Sequence, residues 1–409
     1  MQKCKQVLFF CTTLLLTSLS NSLATVKYSF VFTTDDGIDK PDSIPGVRKV
    51  KDFIIYQDSM FYAAFPSVVK LQNGEYLLAF RRAPDRKIFE ENGTNHVDPN
   101  SYLYTVMSAN GETWTKNADL LYAHPFGGSQ DPCLLQLEDG TLLCSSYAWA
   151  FVRPEGLPKL KKPYSAVNDN VIFLGGYLLR SSDGGKSWQG PEYPPSVSRE
   201  VRYGALGQPL PAYNRGALFE GQNGRIYWGV AISEYSDQPG KTSVHLLISD
   251  NKGVSWTYSS PVAVDKTAVF NETSMYETPK GDIVAFLRTS NLNDHACIAR
   301  SVDGGKSFQP WEDMGFQGHP LHALRLPDNR VLLTYGYRHE PYGIRARILN
   351  AECTNYKTAP EIILRKDGEN GDIGYPWSVL RDQNRVLVVY YYNIDNGPRH
   401  IAGTVLEIE

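Results

Sequence analysis

Six times along the chain, apolar and polar positions alternate, break at a polar turn carrying Gly or Asn, and resume as a second apolar or aromatic run. The stretches are Pro66–Arg82, Asp131–Trp149, Gly216–Ala231, Glu272–Thr289, Leu321–Arg338 and Tyr375–Asn393. Alternation of period two around such a turn predicts a β-hairpin each time. Gly74, Gly140, Gly224, Gly281, Asn329 and Asn384 mark the turns, and their spacing, roughly 50–80 residues, leaves room for a four-stranded sheet around every hairpin. No segment holds a sustained helical period, and no GxGxxG or P-loop motif is present. The pattern predicts an all-β propeller with six inner hairpins, closed into a ring that leaves no sheet edge open. His400–Glu409 and an N-terminal strand such as Phe53–Gln57 are placed to close that ring, while the spare strand-like run Lys27–Phe32 could belong to a seventh blade.

Composition narrows the setting. The 409 residues include 34 Gly, 25 Pro and 25 Tyr, a turn-rich and aromatic balance that fits β structure. Net charge is only −3, and without a basic block neither nucleic acid nor an anionic membrane is expected as partner. Lys3 and Lys5 precede the apolar run Val7–Leu19, with small residues at Ser20–Ala24. That is the layout of a secretory leader over residues 1–24, with one propeller domain over 25–409 and an exported, periplasmic or extracellular destination. Cys133, Cys144, Cys297 and Cys353 are scattered without CxxC pairs, so a zinc site is not expected, and the choice between disulfides and buried thiols stays open.

A second repeat lies between the hairpins. Ser181-Ser182-Asp183-Gly184-Gly185-Lys186-Ser187-Trp188 returns as Ser301–Phe308, as Ser249–Trp256, and in shortened form as Ser108–Trp114. The acid or amide and the glycine make a tight turn, the hydroxyl closes it, and the aromatic packs into the sheet. These octapeptides are Asp-boxes, and in them the chain resembles the sialidase-like (BNR) propeller superfamily.

Candidate chemistry sits at the hairpin edges, where a propeller places its ligand. Arg82, Arg215, Arg288 and Arg338 fall there, and converging guanidiniums repel one another unless they hold an anion. A carboxylated sugar is the natural ligand, so the expected partner is an acidic oligosaccharide or polysaccharide, taken up by a monomeric chain. His96 and His124 lie in polar, Pro- and Gly-marked loops, where imidazole is poised for proton transfer. Resemblance to sialidases implies three arginines on the substrate carboxylate, a Tyr–Glu nucleophile pair and an Asp acid. Arg82 in Phe80-Arg81-Arg82-Ala83-Pro84 resembles the FRIP motif; Tyr375 with Glu220 would form the pair, and Asp98 the acid.

A closer resemblance covers nearly the whole chain after the leader. Phe61–Ser67, Phe80–Arg86, His96–Tyr102, His124–Asp131, Gly216–Glu220 and Arg338–Arg347 look like a Bacteroidetes propeller group containing rhamnosidases and lyases. Those enzymes act on rhamnosyl-α-1,4-glucuronate ends of arabinogalactan proteins. The resemblance implies seven blades and, for the rhamnosidases, a single catalytic His on the face opposite the usual mouth. The segment where that His is sought, Tyr56–Phe61, carries Gln57, an amide that cannot transfer a proton near neutrality. Elimination would instead use the front mouth, with Arg215 and Arg338 (and Arg153 or Arg82 as third) neutralising the carboxylate. His96 and His124 would then be base and acid, with Tyr147 as alternative donor. No cofactor is required for this chemistry, though calcium could assist. Exo-sialidase and a non-catalytic glycan-binding protein are the alternatives.

Overall fold

The computed structural model describes residues 43–409 apart from 92–95, 168 and 239; the leader and the run Lys27–Phe32 lie outside the described residues. Among these, six antiparallel sheets follow one another in chain order. Blade one is built from Phe61–Lys70, Tyr76–Pro84, Tyr102–Ser108 and Asp119–Tyr122, and the inner strands of blades two to five start at Gly127, Phe219, Phe270 and Leu321. Blade six takes Gly374–Asp382, Arg385–Tyr392 and His400–Ile408 from the end of the chain and Val47–Tyr56 from its beginning. Phe53 pairs with Gly403 and Ile54 with Ala402 across that seam, so first and last strands close the ring as the apolar pattern predicted. Among the described residues the count is six blades, where the resemblance implied seven, and the strand Val47–Tyr56 completes the sixth sheet.

The inner strand Phe61–Lys70 is buried on both faces, with Tyr62–Val68 all buried. It is packed between neighbouring blades, so its alternation is blunted into a near-continuous buried run. The repeated octapeptides form the outer turns. Ser301 Oγ donates to Asp303 Oδ1 at 2.7 Å and accepts from Gly305 N at 2.8 Å, and Asp303 also accepts from the backbone of Lys306 and Ser307. Asn251 replaces the acid in one copy and still accepts from Ser255 N at 2.9 Å, since the turn needs an acceptor rather than a charge.

The inner strands break their ladder close to where they begin. Register shifts fall between Ala64 and Ser67, Gln130 and Cys133, Phe270 and Thr273, and Gly374 and Trp377. In three of them a non-glycine residue stands in the left-handed region: Phe65 at φ 57°, Asp131 at 31° and Tyr375 at 53°. A proline follows each (Pro66, Pro132, Pro376), removing the N–H that would continue the ladder. Such bulges re-aim side chains, and backbone held in this region costs about 1–3 kcal/mol per residue.

Candidate active site at the bulged ends of the inner strands

The bulges turn a polar cluster toward one end of the ring. Tyr375 donates its hydroxyl proton to Glu272 Oε1 at 2.6 Å, and Arg288 Nη1 donates both to Glu272 Oε2 at 2.6 Å and to the Tyr375 hydroxyl at 3.0 Å. The Arg215 guanidinium lies 4.1 Å from the Tyr375 ring centroid and that of Arg338 5.2 Å. Arg338 is held by Ile373 O and the Tyr391 hydroxyl, and Arg215 by Pro66 O. Burial pushes Glu272 upward, but the Arg288 and Arg215 charges and the Tyr375 hydrogen bond outweigh it and hold this carboxyl below its ordinary value. Tyr375 is pushed well up, by burial first and then by the Glu272 charge. The resting state is therefore a neutral phenol hydrogen-bonded to a carboxylate.

Blades one and two supply the other side of the cluster. Asp131 is 1% exposed; its Oδ2 accepts from the Tyr147 hydroxyl at 2.6 Å, while its Oδ1 has no partner. Burial and the neighbouring Glu272 charge raise its pKa against the pull of Arg215, so Asp131 is the carboxyl of the cluster most inclined to hold a proton. His96 Nδ1 is 3.8 Å from Asp372 Oδ1, and its ring meets that of Phe65 edge-on at 5.0 Å. Asp372 also accepts from the Tyr62 and Tyr391 hydroxyls and from Arg399 Nε. Against burial, the His96 and Arg399 interactions hold Asp372 well below the usual carboxylate range.

The expected site residues divide accordingly. His96, Tyr147, Arg215, Arg288, Arg338 and Tyr375 come together. Glu220 does not: its Oε2 accepts from Glu138 N at the turn end of the hairpins, and the partner of Tyr375 is Glu272. Asp98 is held by two hydrogen bonds from Arg86, at 2.8 and 3.2 Å, and by Asn100 N, so it is occupied by an ion pair. Arg82 is stacked between Phe61 and Tyr104, 4.2 and 3.7 Å from their centroids, with Nη1 on the Tyr56 hydroxyl. Its neighbour Arg81, fully buried and without a hydrogen-bond partner, turns instead toward Tyr62 and Phe65. Arg153 is exposed at the start of a short 3₁₀ turn, Pro154–Lys159.

His124 also stands apart. Its Nδ1 accepts from Phe126 N at 3.2 Å, its ring packs near Tyr122 and Tyr177, and burial lowers its pKa to about 4. Gln57 is exposed in the loop that leads into the start of blade one's inner strand. That is the Tyr375 end of the ring and not the opposite face, where the resemblance placed a catalytic His. The opposite end has a cavity of about 890 Å³ lined by the turn ends of the inner hairpins, including Glu220, Glu138 and His322. His322 is buried there with Nδ1 accepting from Ser378 N, and burial lowers its pKa to about 3, which makes it a structural imidazole.

Residues that the pattern did not single out include Glu272, Asp131, Asp372 and a His–Asp–His group in which Asp294 lies 3.4 Å from His319 and 3.2 Å from His339. The signal for three site positions was present in the dipeptides Phe65-Pro66, Asp131-Pro132 and Tyr375-Pro376, one near the start of each of three inner strands. Among the described residues no group of three or more His, Cys, Asp or Glu is arranged to hold a metal ion, and the four described cysteines, Cys133, Cys144, Cys297 and Cys353, are buried free thiols.

Comparison with known proteins agrees with this architecture. A protein of unknown function from Dyadobacter fermentans, known from its crystal structure, is 68% identical, with a TM-score of 0.88 over 90% of this chain and all of that one. The NanB sialidase of Streptococcus pneumoniae superposes with a TM-score of 0.60 at 14% identity, covering 87% of this chain and 70% of its own. The α-L-arabinanase of Penicillium chrysogenum, bound to arabinobiose, gives 0.58 at 13% identity over 88% and 98%. At these last identities the likeness is one of fold. No curated protein matches the sequence. The BNR repeat-like domain matches residues 164–388, and with six blades and their repeated turns the chain belongs to this family of sialidase-like propellers.

Proposed function

We propose that this protein is an exported glycan-cleaving enzyme acting at a non-reducing end that carries a carboxylated sugar. The observation that carries the reading is the Tyr375–Glu272 hydrogen bond of 2.6 Å set among Arg215, Arg288 and Arg338. Arginine is suited to a planar carboxylate, and three guanidiniums beside one ionised Glu272 leave net positive charge for an anion. With Glu272 ionised and Tyr375 neutral, the phenolic proton has an acceptor in place as the oxygen becomes nucleophilic. Arg288, bonded to both groups, stabilises the charge that develops on Tyr375.

The same pair serves two reaction types. In hydrolysis Tyr375 attacks the anomeric carbon as the bond to the leaving oxygen breaks, and Glu272 takes the phenolic proton. Water then attacks the same carbon, giving a proton to the base left by the acid, while the Tyr375 oxygen recovers its proton from Glu272. In elimination the pair removes the proton next to the carboxylate, and the arginines stabilise the resulting enolate-like charge. Either route needs an acid for the leaving oxygen; Asp131, with its raised pKa, and His96 are the groups at hand.

The first substrate to test is a rhamnosyl-α-1,4-glucuronate end, supported by the sequence resemblance. Sialic acid is the second reading, favoured by the Tyr–Glu–Arg arrangement itself. Incubation with gum arabic arabinogalactan and with sialyllactose, following free rhamnose, the ultraviolet absorbance of an unsaturated uronate, and free sialic acid, separates these readings. Rhamnose without absorbance means hydrolysis, rhamnose with it elimination, and sialic acid the second reading. Silence in all three channels overturns cleavage of these substrates and leaves glycan binding without catalysis.

A further inference from the structure

Beside the mouth, at the same end of the ring, several large apolar side chains lie open to solvent. Phe126 is 52% exposed, Phe151 50%, Tyr193 57% and Leu206 62%. Phe126 immediately precedes the inner strand of blade two, and Phe151 ends the strand paired with it, Gly127 lying opposite Ala150. Tyr193 and Leu206 come from the connection between blades two and three. Phe126, Tyr193 and Leu206 line a cavity of about 330 Å³ together with His124 and Gln208; Phe126 and Phe151 line an adjoining one of about 450 Å³. Both volumes fall within the ~300–1,000 Å³ of small-ligand sites.

The shelf shares blade two with part of the candidate active site. The strand that starts at Gly127 carries Asp131. From Tyr147, bonded to Asp131, a run of aromatic contacts passes to Phe173 at 5.7 Å and on to Tyr213 at 4.5 Å. Leu174, next to Phe173, lines the cavity. Of the three guanidiniums offered to a carboxylate, Arg288 and Arg338 come from blades four and five, and Arg215 from the segment leading into blade three. In a six-bladed ring blade two faces blade five across the axis, so a glycan anchored by its acidic end on Arg288 and Arg338 leaves the mouth over blade two.

The polar groups fit the same direction. Gln208 Oε1 is buried without a hydrogen-bond partner. His124 Nδ1 accepts from Phe126 N, so the neutral ring carries its proton on Nε2. An acceptor and a donor beside exposed aromatic rings are what a pyranose needs, since its C–H face stacks on the ring and its hydroxyls hydrogen-bond at the edge.

We infer that the Phe126–Tyr193 shelf binds the neutral pyranose units that follow the carboxylated sugar, and so fixes the direction in which the glycan crosses the propeller mouth. This rests on the reading of the central cluster as a carboxylated-sugar site, but its test does not require turnover. Saturation-transfer NMR with neutral galactotriose is expected to give signal with the wild-type protein and with Tyr375→Phe. The signal should be lost or reduced about two- to tenfold in Phe126→Ala and Tyr193→Ala, the span expected for losing one aromatic contact. With arabinogalactan as substrate, the same two variants are expected to raise KM by a similar factor and to retain kcat. Absence of transfer to the wild type, or transfer unchanged in both variants, overturns the proposal. Transfer lost in the variants while no polymer is cleaved upholds the shelf and removes the proposed chemistry.

Discussion

Glu272→Gln is the perturbation most sharply constrained by the structure. The Glu272 side chain, 12% exposed, lies 2.6 Å from Arg288 and accepts the Tyr375 proton at 2.6 Å. An amide keeps the shape but not the charge. It cannot take the phenolic proton, and it leaves Arg288 and Arg215 without their neighbouring anion. Loss of a positioned proton acceptor costs about 10²–10⁴-fold in rate. Stripping one partner from a buried ion pair costs about 3–5 kcal/mol; since Gln preserves part of the hydrogen bonding, about 1–3 kcal/mol is expected. Because Glu272 titrates below its ordinary value in the folded protein, its charge stabilises the fold above the unfolded-state pKa. That contribution disappears as pH falls through the folded value, so wild-type and variant Tm should converge in acid. The assays are kcat/KM on the cleaved substrate and Tm against pH, each for wild type and variant. A variant within twofold of wild type in kcat/KM, or a Tm gap that widens toward acid, would refute the reasoning.

Other perturbations have equally definite outcomes. His124 and His319 are lowered to about 4, both by burial first and His319 next by Arg288. The unfolded chain therefore takes up these protons earlier, near pH 6.5. Stability is full above that pH and falls by up to about 1.4 kcal/mol per unit for each ring as pH drops toward 4. His124→Gln should flatten that part of a Tm–pH curve, and parallel curves would contradict the assignment. Ser301→Ala removes a buried hydroxyl bonded to Asp303 and Gly305; chemical denaturation should show a loss of about 1–3 kcal/mol with kcat unchanged. Gln57→His should leave rhamnose release from arabinogalactan at the wild-type rate, because position 57 is an exposed loop site outside the Tyr375–Glu272 cluster; a clear gain would show that an imidazole at this position takes part in cleavage. Cys133, Cys144, Cys297 and Cys353 should react with a thiol reagent only on unfolding, since all four are buried and free; fast native labelling would speak against their burial.

The fold was largely legible because its signals are local. Alternation and turn residues define each inner hairpin, and apolar strands at both ends of the chain predicted the seam between Val47–Tyr56 and His400–Ile408. The site was legible in its residue types and less so in their partners. Glu220 and Glu272 both lie near hairpin edges, but one is at a turn and the other near a strand start, and only closure of the ring separates those ends by the length of a strand. Arg81 and Arg82 show the same limit on a smaller scale. Adjacent strand residues point to opposite faces, and nothing local says which face meets Phe65 and which meets Tyr56. His124 has a loop-like sequence context, yet Tyr122 and Tyr177, the latter distant in sequence, enclose it. Tyr375, Asp131 and Phe65 owe their placement to bulges at Xaa-Pro steps, a signal that alternation alone passes over.

The central claim is that Tyr375, paired with Glu272 among arginines, cleaves a glycan at a non-reducing end that carries a carboxylated sugar. The most direct measurement is product release from arabinogalactan and sialyllactose by wild type and by Tyr375→Phe, at equal concentration and with matched Tm. The account predicts release of rhamnose or sialic acid by the wild type and a loss of about 10²-fold or more in the variant. Equal release by the two proteins, or none by the wild type, would contradict it.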